Sequence, residues 1–353
     1  MNSFASLADS IAAAYEPLAS GMGCSITSED DEELRRLVES IKINISIIGC
    51  GGGGSNTIHR LATDGVKGAT LVAANSDARH LLNVSTENKI LLGRVLTKGL
   101  GAGAIPEVGR KAAEEAKDDI SRYINGSSVV FVTAGMGGGT GTGSAPYVAE
   151  LAHRNGALTI GIVTLPFRSE GRVRMENAKK GLEEMQRNCD TTIVILNEQL
   201  LKLVPKLPLN AAFKVADEVL MYGIKGITEI ITRPGLVNVD FNDVHTIMKD
   251  GGMAMIGMGE SSDEHDRIKD AVDDALTSPL LGDFNMTTAK GALIRVQGGS
   301  DLTVGEAERA AEMVSSRLNP RTRIIWGCSV EPELKGKVRV LVVITGVTTP
   351  SLT

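Results

Sequence analysis

The residues Gly137-Gly138-Gly139-Thr140-Gly141-Thr142-Gly143-Ser144 follow an apolar run at 129–133 and precede a helical pattern at 145–155. A glycine-rich turn between a strand and a helix exposes backbone N–H groups, and the helix dipole favours an anion at the same place. The two threonine hydroxyls add further donors. We therefore predict a phosphate-binding loop here, although not a Walker loop, because no Gly-Lys-[Ser/Thr] is present.

A second glycine cluster, Gly49-Cys50-Gly51-Gly52-Gly53-Gly54-Ser55-Asn56, follows the apolar run at 43–48 and begins a helix. Its position also suits a phosphate. The spacing fits the GxGxxG pattern of NAD-dependent dehydrogenases as well, so that class is an alternative. Against it, Asn75 ends the second apolar run where a ribose-binding acid is expected, although Asp77 lies close by.

Short apolar, β-branched runs alternate with helix-favouring segments over the first part of the chain. This alternation predicts βαβ crossovers and a parallel sheet that is covered by helices on both faces. The predicted strands are residues 43–48, 70–74, 89–92, 129–133, 159–165 and 191–196, and helical segments between them include 107–117 and 172–187.

One long helix is predicted at 209–232, because the segment has few helix breakers and is closed by Arg233-Pro234-Gly235. The fold class is α/β: a Rossmann-like parallel-sheet domain, this central helix, and a second, smaller α/β domain. Predicted strands of the second domain are 292–296, 323–326 and 338–344, with helices at 264–277 and 304–318. The predicted boundaries are 1–40 for an N-terminal helical extension, 41–207, 208–233 and 234–347 for the three main parts, and 348–353 for a tail.

Composition excludes several functional classes. The net charge is −6 and no block of Lys and Arg is present, so we do not expect a nucleic acid partner. The four cysteines form no CxxC pair, which argues against structural zinc and disulfides and suits a reducing compartment. No apolar run reaches the length of a membrane span, and the N-terminus lacks a basic secretory region. We therefore predict a cytoplasmic protein without direct membrane insertion.

The segment at 137–144 resembles the signature of the tubulin/FtsZ superfamily, and the similarity extends from about Lys42 to Val347. Within the superfamily the chain is most similar to archaeal FtsZ. The resemblance implies a self-assembling GTPase that forms head-to-tail filaments for cell division. It also implies that GTP is hydrolysed to GDP and phosphate where two subunits meet.

The resemblance assigns the nucleotide contacts to loops at the strand ends. Besides the residues from Gly137 to Thr142, the implied phosphate contacts are Gly51, Gly52, Gly53, Gly54, Asn56, Asn75, Asp77, Ala102 and Gly103. Glu170 and Arg174 match the ribose and phosphate contacts, which suits a carboxylate and a guanidinium. Taken alone, such a pair four residues apart is more often a solvated helix ion pair.

The resemblance places Asn197, Phe213 and Asp217 around guanine. Guanine offers N1–H and N2–H₂ donors that a carboxylate accepts, and an aromatic ring stacks on the base. GTP should therefore be preferred over ATP. Phe213 and Asp217 lie four apart on one helix face, and without the other loops Phe213 would more often be a core residue.

The segment Asn238-Val239-Asp240-Phe241-Asn242-Asp243 follows the long helix. In the family this loop enters the nucleotide pocket of the neighbouring subunit, so the resemblance implies catalytic roles for Asn238, Asp240 and Asp243. The two acids would position water in line with the γ-phosphate, while Gly-loop amides and Mg²⁺ offset the charge. Carboxylates three apart also commonly cap a helix N-terminus.

Three positions depart from the usual FtsZ pattern. Ser76 replaces a common Thr, Arg79 stands where a Gln is frequent near the metal and γ-phosphate, and Ile105 replaces an Asn. We expect Arg79 to alter the dependence on Mg²⁺, which phosphates and water hold without a dedicated protein site. Arg79 and Ile105 also leave open an alternative, a GTP-binding structural scaffold with weak hydrolysis. The expected partners are further copies of the chain and a membrane-anchor protein. The sequence does not identify the anchor protein, because the chain lacks the long linker and terminal docking motif of many FtsZ proteins.

Overall fold

A computed structural model of the chain describes residues 43–203, 209–232, 237, 239–263, 265–282 and 288–348. The predicted N-terminal extension at 1–40, residues 349–353 of the predicted tail at 348–353 and the predicted catalytic residue Asn238 lie outside these residues.

The described residues form one sheet of ten strands in the order β3-β2-β1-β4-β5-β6-β7-β10-β8-β9. Its strands are β1 Ile45–Cys50, β2 Ala69–Asn75, β3 Asn88–Leu91, β4 Val129–Gly135, β5 Leu158–Leu165, β6 Thr191–Leu196, β7 Gly252–Ser261, β8 Gly291–Gly298, β9 Arg323–Val330 and β10 Val338–Thr345. Neighbours from β3 to β7 are parallel, and β10 runs antiparallel to both β7 and β8. The first six strands follow the order 3-2-1-4-5-6 of a doubly wound nucleotide-binding fold.

Helices cover both faces of the sheet, as the sequence predicted. The helices are α1 Gly51–Thr63, α2 Ala78–Leu82, α3 Pro106–Glu115, α4 Lys117–Ile124, α5 Thr140–Arg154, α6 Arg172–Asn188, α7 Asn197–Leu203, α8 Leu209–Thr232, α9 Phe241–Met248, α10 Arg267–Thr277 and α11 Val304–Ser316. Buried side chains of α1, α2, α7, α8 and α9 pack on one face, and those of the others pack on the opposite face. Among the described residues, no helix is long and apolar enough to cross a membrane.

The six predicted strands of the first domain and the three of the second are confirmed, with boundaries that differ by a few residues. Strand β7 was missed, because its sequence is rich in Gly and Met rather than in β-branched residues. Packing explains the glycines. A Cβ on Gly257 would lie 2.2 Å from the carbonyl oxygen of Ala275, and a Cβ on Gly259 would lie 2.1 Å from that of Ala271. Helix α10 thus lies directly on the backbone of β7.

Two predicted helix boundaries were wrong. Helix α5 begins at Thr140 rather than near 145, so the predicted loop supplies its first turn. The glycines are tolerated there because a Cβ on Gly143 would lie 1.9 Å from the carbonyl oxygen of Pro106, which leaves no room for a side chain. The predicted helix at 107–117 is divided at Ala116, and α4 continues after it.

A buried ion pair connects the long helix α8 to β8. Arg295 is 4% exposed and donates to Glu229 Oε2 at 2.7 Å and to the carbonyl oxygen of Gly226 at 3.0 Å. A buried pair of this kind costs desolvation, but removal of one partner leaves an uncompensated charge in the core. The pair therefore fixes the side of α8 that faces the second half of the sheet.

We predict that Arg295→Met lowers the free energy of unfolding by about 3–5 kcal/mol, because Glu229 keeps its burial and loses a cation. Urea unfolding monitored by circular dichroism measures this change. The matched control is Arg172→Met, since Arg172 is 90% exposed in its side chain and pairs with Glu176 at the surface. That variant should lose little stability, because exposed ion pairs contribute little, and equal losses in both variants would contradict the assignment.

Candidate nucleotide site

The two glycine clusters meet where the chain order of the sheet reverses. Strands β1 and β4 are neighbours, and the chain leaves them for opposite directions along the sheet. In doubly wound folds, ligands bind at the carboxyl ends of strands at such a switch point. Helix α1 begins at Gly51 directly after β1, and α5 begins at Thr140 shortly after β4. Two helix N-termini therefore face the same cleft, which suits a phosphate chain.

Close packing explains why this cleft needs glycine. A Cβ on Gly51, whose φ is +69°, would lie 2.6 Å from the backbone nitrogen of Gly141, and a Cβ on Gly54 would lie 2.4 Å from the carbonyl oxygen of Thr133. Gly52 and Gly138 differ, because no atom lies within 4 Å of a Cβ at either position. The first two glycines let the loops approach each other, and the other two leave open space.

The hydroxyl groups of the second loop have different surroundings. Thr140 Oγ1 lies 2.6 Å from Ser76 Oγ, so the serine that replaces the common threonine keeps a hydroxyl contact between loops. Thr142 is 2% exposed, and its Oγ1 accepts a hydrogen bond of 2.8 Å from the backbone N–H of Gly137. The Thr142 oxygen is therefore engaged within the loop and helps to set its shape.

A chain of polar side chains joins the loops after β1 and β2. His80 Nε2 lies 3.1 Å from Asn56 Oδ1, and His80 Nδ1 lies 3.2 Å from Asn75 Nδ2. Asp77 caps α2 by accepting from the backbone N–H of His80 at 3.0 Å. The three predicted residues Asn56, Asn75 and Asp77 are thus brought together, with His80 as their common neighbour.

The loop after β3 borders the second glycine cluster. The backbone N–H of Gly101 donates to the carbonyl oxygen of Ser76 at 3.1 Å. A Cβ on Gly139 would lie 2.9 Å from Ala102 Cβ, so the two loops are in close contact, and Gly103 follows in the left-handed region with a φ of +58°. Ile105 is half exposed and occupies the N-cap position of α3 without a capping side-chain hydrogen bond.

Glu170 and Arg174 form an ion pair in the structure. Arg174 Nη1 donates to Glu170 Oε2 at 2.5 Å, and Glu170 Oε1 accepts from the backbone N–H of Phe167 at 2.9 Å. A Cβ on Gly137 would lie 2.9 Å from the carbonyl oxygen of Arg174, which places this segment against the glycine loop. Both side chains are therefore beside the cleft and paired to each other.

The three predicted base contacts lie at the carboxyl end of β6 and on α8. The rings of Phe213 and Phe167 meet edge to face, with centroids 5.0 Å apart. Asn197 is 5% exposed, and its Oδ1 has no hydrogen-bond partner among the described residues. A buried acceptor without a partner is costly, so this oxygen is suited to a ligand N–H.

Asp217 lies on the same helix as Phe213, with its Oδ2 3.7 Å from Arg60 Nε. Burial raises the pKa of the Asp217 carboxyl to about 6, and the Arg60 guanidinium opposes this rise.

Cys50 shows the same effect of burial without an opposing cation, because burial raises the pKa of its thiol to about 12. That thiol stays protonated at neutral pH, as expected for a small, fully buried core residue.

The predicted catalytic acids lie at the start of α9. Asp240 occupies the N-cap position but makes no capping side-chain hydrogen bond, and both Asp240 and Asp243 are exposed. The opposite face of α9, including Val244 and Ile247, is buried. The helix is therefore fixed by its apolar face, while its two carboxylates point to solvent.

These acids lie near the amino ends of the parallel strands, whereas the glycine loops lie at the carboxyl ends. Thr191, the first residue of β6, donates to the carbonyl oxygen of Met248 in α9 at 2.5 Å. Helix α8, which begins beside the base contacts, ends with Thr232 against Gly68 at the start of β2. The six residues of β6 span about 20 Å, and the 24 residues of α8 span about 36 Å. The acids of one molecule thus do not reach its own glycine loops.

Sequence reasoning missed three residues of this region: Arg60, His80 and Phe167. Each contacts a predicted site residue, but none belongs to a glycine-rich or acidic motif. Their positions depend on helix and loop packing. The long spacing between Arg60 and Asp217 in the chain gave no signal of that contact.

Two family models match the chain over most of its length. The model of the Tubulin/FtsZ family GTPase domain matches residues 44–205, and that of the FtsZ family C-terminal domain matches residues 252–348. The chain belongs to the FtsZ family. The GTPase domain contains the glycine loops, and α8 lies between the two matched regions, so the predicted resemblance and the GTPase assignment are confirmed.

Archaeal FtsZ proteins are similar over nearly the whole chain. Cell division protein FtsZ of Haloferax mediterranei is 52% identical over 322 residues, which cover 91% of this chain and 85% of the relative. Cell division protein FtsZ 1 of Methanocaldococcus jannaschii is 52% identical over 320 residues, which cover 91% and 87%. These relatives leave the dehydrogenase alternative without support.

A solved structure of an empty FtsZ dimer from M. jannaschii superposes with a TM-score of 0.85 at 52% identity, covering 91% of this chain and 93% of that one. CetZ1 from Haloferax volcanii, as a GDP-bound monomer, has a TM-score of 0.76 at 23% identity and shares the fold. The ten-stranded arrangement is therefore that of the tubulin/FtsZ fold.

We predict that Gly138→Asp weakens GTP binding roughly a hundredfold, because a carboxylate in the open space of the loop repels phosphate. Isothermal titration calorimetry measures the affinity. The unfolding midpoint should stay unchanged, since a side chain at Gly138 meets no atom within 4 Å.

Gly305→Asp is the matched control, because Gly305 is exposed on α11 and also has nothing within 4 Å of its Cβ. It should bind GTP as the wild type does. Unchanged affinity in Gly138→Asp would show that this loop does not contact phosphate.

Proposed function

We propose that the chain binds GTP in the cleft at the carboxyl ends of β1 and β4 and hydrolyses it with the acids of a neighbouring copy. The observation that carries this proposal is that Asp240 and Asp243 lie at the opposite end of the strands from the glycine loops. In a head-to-tail stack, the end of one subunit that carries Asp240 and Asp243 meets the end of the next subunit that carries the glycine loops. The role we infer is a cytoplasmic filament for cell division, as in the FtsZ relatives.

The cleft has complementary parts for the two ends of GTP. The N-termini of α1 and α5 offer backbone donors and a positive dipole to the phosphates. Asn197 and Asp217, beside the ring of Phe213, offer acceptors and an aromatic surface to guanine. Guanine presents N1–H and N2–H₂ to such acceptors, whereas adenine does not present this pair. The site therefore favours GTP.

Mg²⁺ fits the cleft as a companion of the phosphates. Among the described residues, no group of three or more His, Cys, Asp or Glu side chains could hold a metal ion. Phosphate oxygens and water are ligands that suit this hard cation. When bound, Mg²⁺ would offset negative charge on the phosphates. Arg79, exposed on α2 two residues after Asp77, supplies a permanent cation nearby and should reduce dependence on the metal.

The chemistry assigned to the chain itself is the positioning of water. Asp240 and Asp243 are exposed carboxylates on a helix whose other face is fixed by burial. From a neighbouring subunit they would accept hydrogen bonds from a water molecule and hold it in line with the γ-phosphate. The backbone N–H groups of the glycine loops stabilise charge that develops on the phosphate oxygens.

Such a contact uses two different surfaces of the same molecule. Because it is heterologous, it propagates as an open filament unless the rotation closes a ring. Hydrolysis thereby depends on assembly, and loss of the γ-phosphate acts at the contact that holds two subunits together. This coupling provides a physical basis for filament turnover.

We predict that two inactive variants restore activity when they are mixed. Asp243→Ala binds GTP but does not offer a neighbour both acids. Gly138→Asp offers both acids but stays largely without GTP at a concentration that saturates Asp243→Ala. Each alone should lose most of its GTPase activity. An equimolar mixture should regain a substantial fraction, because the acids of Gly138→Asp meet the GTP of Asp243→Ala. Phosphate release measures both.

The control is a mixture of Asp243→Ala with the double variant Gly138→Asp/Asp243→Ala, which should stay inactive. Sedimentation with GTP should show polymer for Asp243→Ala alone. If Asp243→Ala turns over GTP at the wild-type rate, or the complementary mixture gains nothing, catalysis in trans by Asp243 is wrong. Polymer without turnover in the wild type would instead indicate a structural scaffold.

A further inference from the structure

Two sets of ion pairs connect α1 to α8. Arg60 on α1 lies 3.7 Å from Asp217 and 3.2 Å from Glu218, both on α8. Asp64, the residue directly after α1, pairs with Lys225 Nζ at 2.5 Å. Since α1 begins at the phosphate loop and α8 carries the base contacts, these pairs fix the position of one part of the site relative to the other.

The pair of Arg60 and Asp217 forms part of the wall of a cavity of about 650 Å³ between the two helices. Its other lining residues include Asn56, His59, Lys214 and Tyr222. The side chains of Arg60 and Asp217 are only 25% and 17% exposed. A charged pair that is mostly buried and still borders a cavity is placed to act on a ligand.

Opposing effects act on the pKa of the Asp217 carboxyl. Burial, the largest effect, raises the pKa of its carboxyl to about 6, and the negative charge of Glu218 raises it further. The positive charge of the Arg60 guanidinium lowers the pKa. The other charged or titratable groups facing this region are His59 on α1, Asp64 directly after it, and Lys214 and Tyr222 on α8. Arg60 is the group in contact that favours the ionised carboxylate.

We propose that Arg60 is a positioning residue for guanine recognition, whose guanidinium holds Asp217 as an oriented carboxylate that accepts from the base. This inference rests on the proposed GTP site. Arg60 contacts Asp217 through one oxygen, Oδ2, and the lone pairs that remain on both oxygens are available to N1–H and N2–H₂ of guanine. Arg60 thus acts through Asp217 and selects the base indirectly.

The protonation state of Asp217 determines how well it accepts hydrogen bonds from guanine. A protonated Asp217 carries an O–H donor in place of an acceptor, and so it opposes the donor edge of guanine. Because the pKa of this acid is raised above its ordinary value, the carboxylate form is complete only well above pH 6 and is lost as the pH falls through that value. Without Arg60, the pKa rises further and the loss begins at higher pH.

The test measures the affinity for GTP as a function of pH, from about pH 5 to about pH 8.5, at concentrations at which the protein is monomeric. Relative to wild type at each pH, Arg60→Gln should bind several-fold more weakly near pH 6 to 7 and should approach wild type near pH 8.5. Recovery at high pH shows that the variant is folded. Arg60→Lys keeps a cation and should stay close to wild type throughout.

Glu218→Gln is the matched control, because it removes the other partner of Arg60 and a negative charge that raises the Asp217 pKa. Its affinity should not fall at low pH relative to wild type. The Arg60 proposal is overturned if Arg60→Gln follows the wild-type profile, or if its affinity is reduced by the same factor at every pH.

A separate variant tests the proposed base contact itself. Asp217→Asn should move the preference from GTP to xanthosine triphosphate, because the Asn amide donates to the C2 carbonyl that replaces the guanine amino group. If this change in preference fails, Asp217 does not read the base and the proposed site is wrong at that point. If it succeeds while Arg60→Gln behaves as wild type, only the role of Arg60 is wrong.

Discussion

The length and direction of α8 constrain the whole molecule. This helix begins beside the base contacts and ends at the opposite edge of the sheet, against Gly68. The chain that follows it forms α9, which packs at the amino end of β6. The acids on α9 are therefore separated from the glycine loops by a full strand length. In one molecule, the end that carries the acids is thus kept apart from the end that carries the loops.

The nucleotide edge depends on a second constraint, the close approach of two loops at the switch point between β1 and β4. Gly51 lies against Gly141, and Gly54 lies against Thr133, at distances that exclude side chains. The same approach turns two helix N-termini toward one cleft. Backbone donors and helix dipoles are thereby available to an anion without a dedicated lysine.

Much of the fold was predictable from the sequence because its strands are short β-branched runs between helical segments. Strand β7 was not, because its glycines serve the contact with α10 rather than strand propensity. The start of α5 was placed too late, since helical glycines are favoured only where a neighbour such as Pro106 excludes a Cβ. These exceptions arise from tertiary packing, which overrides local propensity.

The candidate site could be predicted from the sequence where its residues belong to a motif. Glycine loops and the acids near α9 stand out in the sequence and through the family resemblance. Arg60, His80 and Phe167 did not stand out, because single residues without a motif acquire their roles only when loops and helices are brought together. The opposite placement of acids and loops also needed the strand order and the contacts of α8.

The dependence of GTP turnover on protein concentration tests the central claim most directly. If the site is completed by a neighbour, phosphate release per subunit should be close to zero in dilute monomeric protein. It should rise steeply as assembly begins and reach a plateau when nearly all subunits are in filaments. A constant rate per subunit from dilute monomer to concentrated polymer would contradict the account, because one chain would then hold a complete catalytic site.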